Sequence, residues 1–249
     1  IEEKSPARVV VDSLSEMRLL ARDPLRFRRQ ILSLKQFFVG RRCTVVLLDD
    51  RSAPDGDMQL HSLAHGVVVL EHLSMEYGAD RRRLEVRKLR GSLFVGGYHD
   101  FRIRTGGLVV YPRLETGGPV EKLLAKTIQS GVSELDAMLG GGLTSGTSTL
   151  VTGAAGTGKS ILCTHYGLAA ADRGEVVRFY LFDERIAVFR ARAQALGLPL
   201  RAAEKSGRVV LHQIEPTQMS PGEFSHLVRA EVERDGVGMV VIDSINGYL

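Results

Sequence analysis

Only two cysteines occur in the 249 residues, Cys43 and Cys163. They lie far apart in apolar, strand-like and helix-like surroundings, which excludes a disulfide framework and predicts buried, reduced thiols. No apolar run approaches the roughly 20 residues of a membrane span. The opening Ile1-Glu-Glu-Lys4 is not a signal peptide. These absences predict a cytoplasmic protein with no membrane partner. The chain does not begin with Met, so it reads as cut from something longer. Metal-ligand patterns are also lacking. His61 and His65 stand four apart and could share a helix face, but without H-E-x-x-H or a third ligand pattern they read as surface or interface histidines. No Ser/His/Asp ordering stands out.

The remaining composition is that of an ordinary globular protein, with 44% hydrophobic and 25% charged residues. The net charge of +4 is uneven. Residues 1–115 hold 20 Lys and Arg against 15 Asp and Glu, and residues 116–249 hold 13 against 14. A basic half could meet nucleic acid or a neighbour's phosphates. No aromatics interleave with those charges, as a stacking platform would require, so solvated Arg-rich faces are the simpler reading. That holds also for the Arg81-Arg82-Arg83 run.

The strongest motif is Gly153-Ala154-Ala155-Gly156-Thr157-Gly158-Lys159-Ser160, which fits the phosphate-binding pattern G-x-x-x-x-G-K-[ST]. The chemistry explains the spelling. Glycines let backbone N–H groups turn inward around an anion. The following helix points its positive end at the same phosphates. Lys159 supplies a mobile point charge, and Ser160 offers a hydroxyl to Mg²⁺. Ile161 closes the nucleotide-binding run. Thr147–Thr152 reads as the strand before the loop, and Lys159–Ala171 as the helix after it. That order is the context the motif requires, so ATP and Mg²⁺ are the expected cofactors.

Around this motif the chain divides at a connector, residues 116–130. Before it, Arg8–Asp12 reads as a buried strand, and Ser13–Arg22 and Pro24–Val39 as helices. In the second helix Phe27, Ile31, Leu34 and Phe38 recur at helical spacing, and Gly40 is the stop. Cys43–Leu48 is a continuous apolar run, expected as a central strand. Gly66–Leu73, the alternating Arg83–Arg90, Phe101–Arg104 and Leu108–Tyr111 read as further strands. After the connector come a helix at Ser133–Leu139, the P-loop unit and a strand at Val176–Phe182. A helix at Ile186–Leu196, a strand at Arg208–Leu211, a helix at Pro221–Asp235 and a strand at Gly238–Asp243 complete it. This alternation predicts an α/β fold with a mostly parallel sheet, helices on both faces, and antiparallel strands closing the first segment.

Val9-Val-Val-Asp-Ser-Leu14 and Val240-Val-Ile-Asp-Ser-Ile245 are alike: each is an apolar strand closing on Asp-Ser. An apolar strand ending in Asp is the Walker B pattern that holds the Mg²⁺ of a P-loop ATPase. Asp243 follows Lys159 at a plausible distance, whereas Asp12 has no P-loop before it. The 231-residue separation of the two aspartates predicts one repeat period of a tandem ATPase, cut after each Walker B strand. Asp243 either joins Ser160 in the Mg²⁺ shell or caps the next turn.

Three stretches carry a specific resemblance. Ser130-Gly-Val-Ser-Glu-Leu-Asp-Ala-Met-Leu-Gly-Gly-Gly-Leu143, running into the P-loop, resembles the opening of RecA-like domains of the KaiC and RadA group. Lys88-Leu-Arg-Gly91, with Gly97, Phe101 and Ile103 after it, resembles the KaiC K-L-R-G segment, although Phe94 stands where that family carries a His. Arg28–Phe38 also looks like KaiC-type ATPases. The resemblance implies a RecA-like P-loop ATPase in which residues 1–115 are the C-terminal half of a first domain and 131–249 the N-terminal half of a second. It also implies a ring, a hexamer, with ATP at subunit interfaces, and signalling partners as in circadian clock proteins.

Site roles follow from the same resemblance. Asp183-Glu184 occupy the place of an acidic pair that activates water, with Glu184 the better base; otherwise both acids favour a helix N-terminus. Lys88 and Arg90 share one face of an alternating strand and would reach the γ-phosphate of an adjacent subunit as arginine fingers do; otherwise they protect a solvated edge strand. Serine/threonine autokinase activity is a further family implication, with acceptors expected past Leu249. The alternative is a RadA/RecA-like DNA-dependent recombination ATPase, disfavoured by the lack of a CxxC zinc element. DNA is therefore not the expected partner. Because the strand after Walker B belongs between the P-loop and Walker B strands in RecA-like sheets, a permuted or exchanged arrangement of the two halves is a third expectation.

Overall fold

A computed structural model describes residues 6–50, 58–76, 78–115 and 126–244. Strand β1 (Arg8–Val11) leads into helices α1 (Leu14–Ala21) and α2 (Pro24–Phe38), strand β2 (Thr44–Leu47) and helix α3 (Met58–Leu63). Strands β3 (Gly66–Leu73), β4 (Arg81–Leu89), β5 (Tyr98–Arg104) and β6 (Gly107–Tyr111) follow. The remainder runs β7 (Thr127–Ile128), α4 (Ser133–Met138), β8 (Leu143–Thr144), α5 (Lys159–Asp172), β9 (Val176–Leu181) and α6 (Ile186–Ala195). It closes with α7 (Leu200–Lys205), β10 (Val209–Gln213), α8 (Pro221–Asp235) and β11 (Val237–Asp243). Residues 116–125 of the expected connector, and Ile245 of the second Asp-Ser-Ile ending, lie outside the described residues.

The chain falls into two compact units. The first gathers the described residues up to Val69 together with Val86–Phe94, and the second Leu70–Glu85 with the described residues from Val95 onward. In the first, β1 and β2 pair in parallel, Arg8 beside Thr44 through Val11 beside Leu47. Leu14, Ala21, Phe27 and Ile31 form a small buried cluster, with Val11, Met17, Leu47 and Leu63 packed against it. Helix α2 begins where its sequence says it should: Asp23 accepts from the backbone N–H of Leu25 and Arg26, and Pro24 occupies the first turn. The expected central strand at Cys43–Leu48 has β1 as its one neighbour among the described residues, and its outward side chains are open, Val46 being 47% exposed.

The second unit is built on a three-stranded parallel sheet in the order β10-β9-β11. Strand β9 is buried on both faces, because its alternate side chains enter different layers. Val177, Phe179 and Leu181 pack with Leu168, Ala170 and Ala171 of α5, Phe189 and Ala193 of α6, and Leu200 of α7. Tyr180 of β9, with Phe182 just beyond its end, packs with Ile214 and Phe224 on the α8 side. Gly167 permits the close approach of α5, since a Cβ there would lie 2.5 Å from the Phe179 ring. Antiparallel strands β5 and β6 lie against α8, where Gly222 N donates to Asp100 at 2.9 Å and Tyr111 Oη donates to Glu223 at 3.0 Å.

The structure is thus mixed α/β. It departs from expectation at Thr147–Thr152, which forms no strand. An extended segment becomes a strand through ladder hydrogen bonds to a neighbour. No strand flanks this one among the described residues, and Leu150 is accordingly 78% exposed.

Candidate nucleotide site

The P-loop residues run from the end of that extended segment into α5. Gly156 and Gly158 hold φ at 79° and 94°, left-handed values that side-chain-bearing residues resist, and Gly158 caps the helix. Gly153 faces the loop closely enough that a Cβ would meet Thr157 Oγ1 at 2.6 Å. Thr157 Oγ1 donates to Ala154 O at 2.9 Å, tying the loop across its mouth. Lys159 Nζ donates to the carbonyls of Gly153 and Ala154 at 2.8 and 2.9 Å, which folds the ammonium over the loop. Ala155, Ser160 and Ile161 complete the run, with Ser160 and Ile161 in the first turn of the 14-residue α5. The lysine thus lies over the loop that leads into the N-terminus of α5, the end of a helix that favours an anion.

The acidic residues come from the C-terminal ends of two adjacent parallel strands. Asp243 ends β11 beside Leu181 of β9, and Phe182 N donates to Asp243 O at 2.8 Å. Asp183 and Glu184 follow directly. Ser244 Oγ donates to Asp183 Oδ2 at 2.8 Å, so the two strand ends are linked through side chains. The Cys163 thiol sits one turn into α5, and its pKa is raised, first by burial and then by the charge of Asp243. Strand β11, which ends on Asp243, packs against α5. Cys43 and Cys163 are both free and half-buried.

Glu184 is held by a residue that sequence reasoning did not single out. Arg192 of α6 donates through Nη1 to Glu184 Oε1 at 2.7 Å, and its Nη2 lies 2.7 Å from Oε2. The two residues are eight apart, and only the turn between β9 and α6 brings them together. Ser244 on Asp183 was equally invisible in the sequence, because that contact joins residues 61 apart.

Upstream, the Ser130–Leu143 stretch is ordered by Asp136, which accepts from Ser130 N and Ser130 Oγ, both at 2.8 Å. The Ser130 amide hydrogen bond is the main reason that the Asp136 carboxyl is held below its usual range. Lys88 and Arg90 belong to the first unit. There Lys88 Nζ donates to His61 O at 2.6 Å, and Arg90 Nη2 donates to Ser62 O at 3.1 Å. Both cations meet carbonyls in the last turn of α3, a favourable placement for positive charge. The Lys88 pKa is lowered, first by desolvation and then by Arg90 and Lys35. Among the described residues, no cluster of His, Cys, Asp and Glu has the geometry of a metal site, and no helix is long and apolar enough to cross a membrane.

These features define a P-loop nucleotide-binding class of α/β protein. The family model described as "ATPase: KaiC" matches residues 1–115 and 128–249, and the chain belongs to that family. It is 28% identical over 184 residues to the circadian clock oscillator protein KaiC of Picosynechococcus sp., covering 74% of this chain and 35% of that protein. With the KaiC of Acaryochloris marina it shares 26% identity over 222 residues, 88% of this chain and 42% of the relative. The KaiC of Parathermosynechococcus lividus aligns over 251 residues at 25% identity, covering 99% of this chain and 46% of the relative. The chain spans less than half the length of these curated relatives.

Proposed function

We propose that the protein is a cytoplasmic, ring-forming ATPase in which Gly153–Ile161 bind ATP and hydrolysis proceeds by direct attack of water on the γ-phosphate. The observation that supports this reading is the loop itself, with Gly156 and Gly158 left-handed at the start of α5 and Lys159 folded over it, in a unit whose adjacent strands β9 and β11 lead into acids. The loop amides and the α5 N-terminus bind and orient the phosphates, and Lys159 exchanges its loop carbonyls for phosphate oxygens. Ser160 and Asp243 would hold Mg²⁺, which when bound neutralises charge on the phosphate oxygens. Glu184, with Asp183 beside it, accepts the proton of the attacking water.

In this reading residues 1–115 are the C-terminal half of a first RecA-like domain and 131–249 the N-terminal half of a second, each with a mostly parallel sheet. Lys88 and Arg90 then serve a P-loop of a neighbouring subunit, and the assembly is a hexamer with ATP at its interfaces. The names of the relatives support a role in circadian or other signalling with protein partners, and serine/threonine autokinase activity is part of the same proposal.

The decisive experiment is a titration with a fluorescent ATP analogue. Lys159→Ala is expected to abolish binding while leaving the thermal unfolding profile in place. Retained affinity would overturn the assignment.

A further inference from the structure

Arg192 is placed as no surface ion-pair partner needs to be. Its guanidinium engages both oxygens of Glu184 and lies over the ring of Phe189, 5.3 Å from the centroid. Phe189 is 1% exposed and packs against Phe179 in the main core. Arg192 Nη2 is itself shut off from solvent and makes no hydrogen bond, so it holds Oε2 as an ion-pair contact beside the single Nη1 hydrogen bond. Exposed salt bridges hold their partners loosely because two long side chains must be ordered for little gain. Here the arginine is ordered by the core beneath it, so its position passes to the carboxylate. A carboxylate has about four acceptor sites, so lone pairs remain on Glu184 for a water molecule.

We propose that Arg192 is a positioning residue that fixes the Glu184 carboxylate for proton abstraction. The inference rests on the reading of Glu184 as the base. It follows the arrangement in which a base is oriented by a third group that does not touch the reacting atoms. In the step, a water O–H bond breaks, its proton passes to a Glu184 oxygen, and the water oxygen bonds to the γ-phosphorus as the bond to the leaving ADP oxygen breaks. Arg192 exchanges no proton.

The test is ATP turnover and nucleotide affinity of the intact protein carrying Arg192→Gln, Arg192→Lys, Glu184→Gln and the double substitution Glu184→Gln/Arg192→Gln. Arg190→Gln is the control: it breaks a comparable pair, Arg190 Nη2 to Glu204 Oε1 at 2.6 Å, on the same helix. Arg192→Gln is expected to lower kcat roughly 10-fold with KM for ATP unchanged, as loss of base orientation alone should. Arg192→Lys should recover part of that loss, and Arg190→Gln should keep wild-type kcat. In the Glu184→Gln background Arg192→Gln should add no further loss.

An undiminished or faster kcat in Arg192→Gln, with Glu184→Gln slow, overturns the positioning role alone. A full further loss in the double variant does the same. Wild-type turnover by Glu184→Gln overturns the base itself, and absence of turnover in the unsubstituted protein overturns the ATPase reading beneath both.

Discussion

Two strands of this chain end in the same letters, yet their surroundings differ. β1 closes on Asp12-Ser13 and β11 on Asp243-Ser244. Beside β11 stands β9, buried on both faces, and the strand ends are joined by Ser244 on Asp183. Beside β1 stands β2, whose following acids are engaged locally: Ser13 Oγ donates to Asp50 at 3.4 Å, and Arg18 pairs with Asp49 at 3.0 Å. An apolar strand ending in aspartate is therefore a position, and its chemistry comes from what stands next to it. At β11 the neighbour is the P-loop helix. At β1 it is a small helical cluster of four buried residues.

The sharpest way to break this comparison is at the aspartates. Asp243→Ala is expected to cut the Mg²⁺-dependent part of nucleotide affinity by at least about 10-fold, as loss of a metal-site carboxylate should. Asp12→Ala should leave that affinity unchanged, because its strand lies outside the unit that holds this P-loop. Fluorescent-nucleotide titration with and without Mg²⁺ decides the matter, and equal losses would erase the distinction.

The cores offer a second contrast. Phe179→Ala removes a ring at the centre of the larger cluster and should cost about 4 kcal/mol in urea unfolding. Phe27→Ala acts on the smaller cluster, whose neighbours Val11, Met17, Leu47 and Leu63 are only partly buried, and should cost about 3 kcal/mol. A larger loss at Phe27 would show that the first unit carries more of the cooperative fold than its size suggests.

The smallest effect tests a likeness instead. Helices α2 and α8 start with the same device: a side-chain cap, Asp23 or Ser220, followed by proline. Asp23→Ala and Ser220→Ala should each cost about 1 kcal/mol, measured by the same unfolding experiment.

Much of this was readable along the chain. The α2 pattern of Pro24, Phe27, Ile31, Leu34 and Phe38 produced a helix ending at Phe38, and α5, β9, α6 and α8 fall within a residue or two of expectation. These are segments whose period, caps and stops agree. The short α7 and the β7–β8 pair were not anticipated, since six- and two-residue elements leave too few turns or alternations to show a period. In Thr147–Thr152 the local β-propensity was legible, but the ladder that makes a strand was not.

The buried charges on the α8 side of β9 were hidden for the same reason. Glu231 Oε2 receives Tyr180 Oη at 2.8 Å and lies 3.3 Å from Arg178 Nε, while Arg178 Nη2 reaches Asp235 Oδ2 at 2.8 Å. Nothing local distinguishes Glu231 from a solvated helical glutamate. It is buried because β9 lies beneath α8, and burial together with Glu231 drives the Tyr180 pKa well above its usual value.

By itself, the sequence determined the phosphate loop, because the Gly-Lys-Ser spacing needs only backbone freedom, a point charge and a helix start, all of them local. It also determined which strands end in acids and where most helices begin and stop. Tertiary structure alone decided which acid has which partner: Asp183 with Ser244, Glu184 with Arg192, and the Asp243 carbonyl with the Phe182 amide. The physical reason is that hydrogen bonds and ion pairs act over a few ångströms. Such distances between residues far apart in sequence exist only after strands have paired and helices have packed.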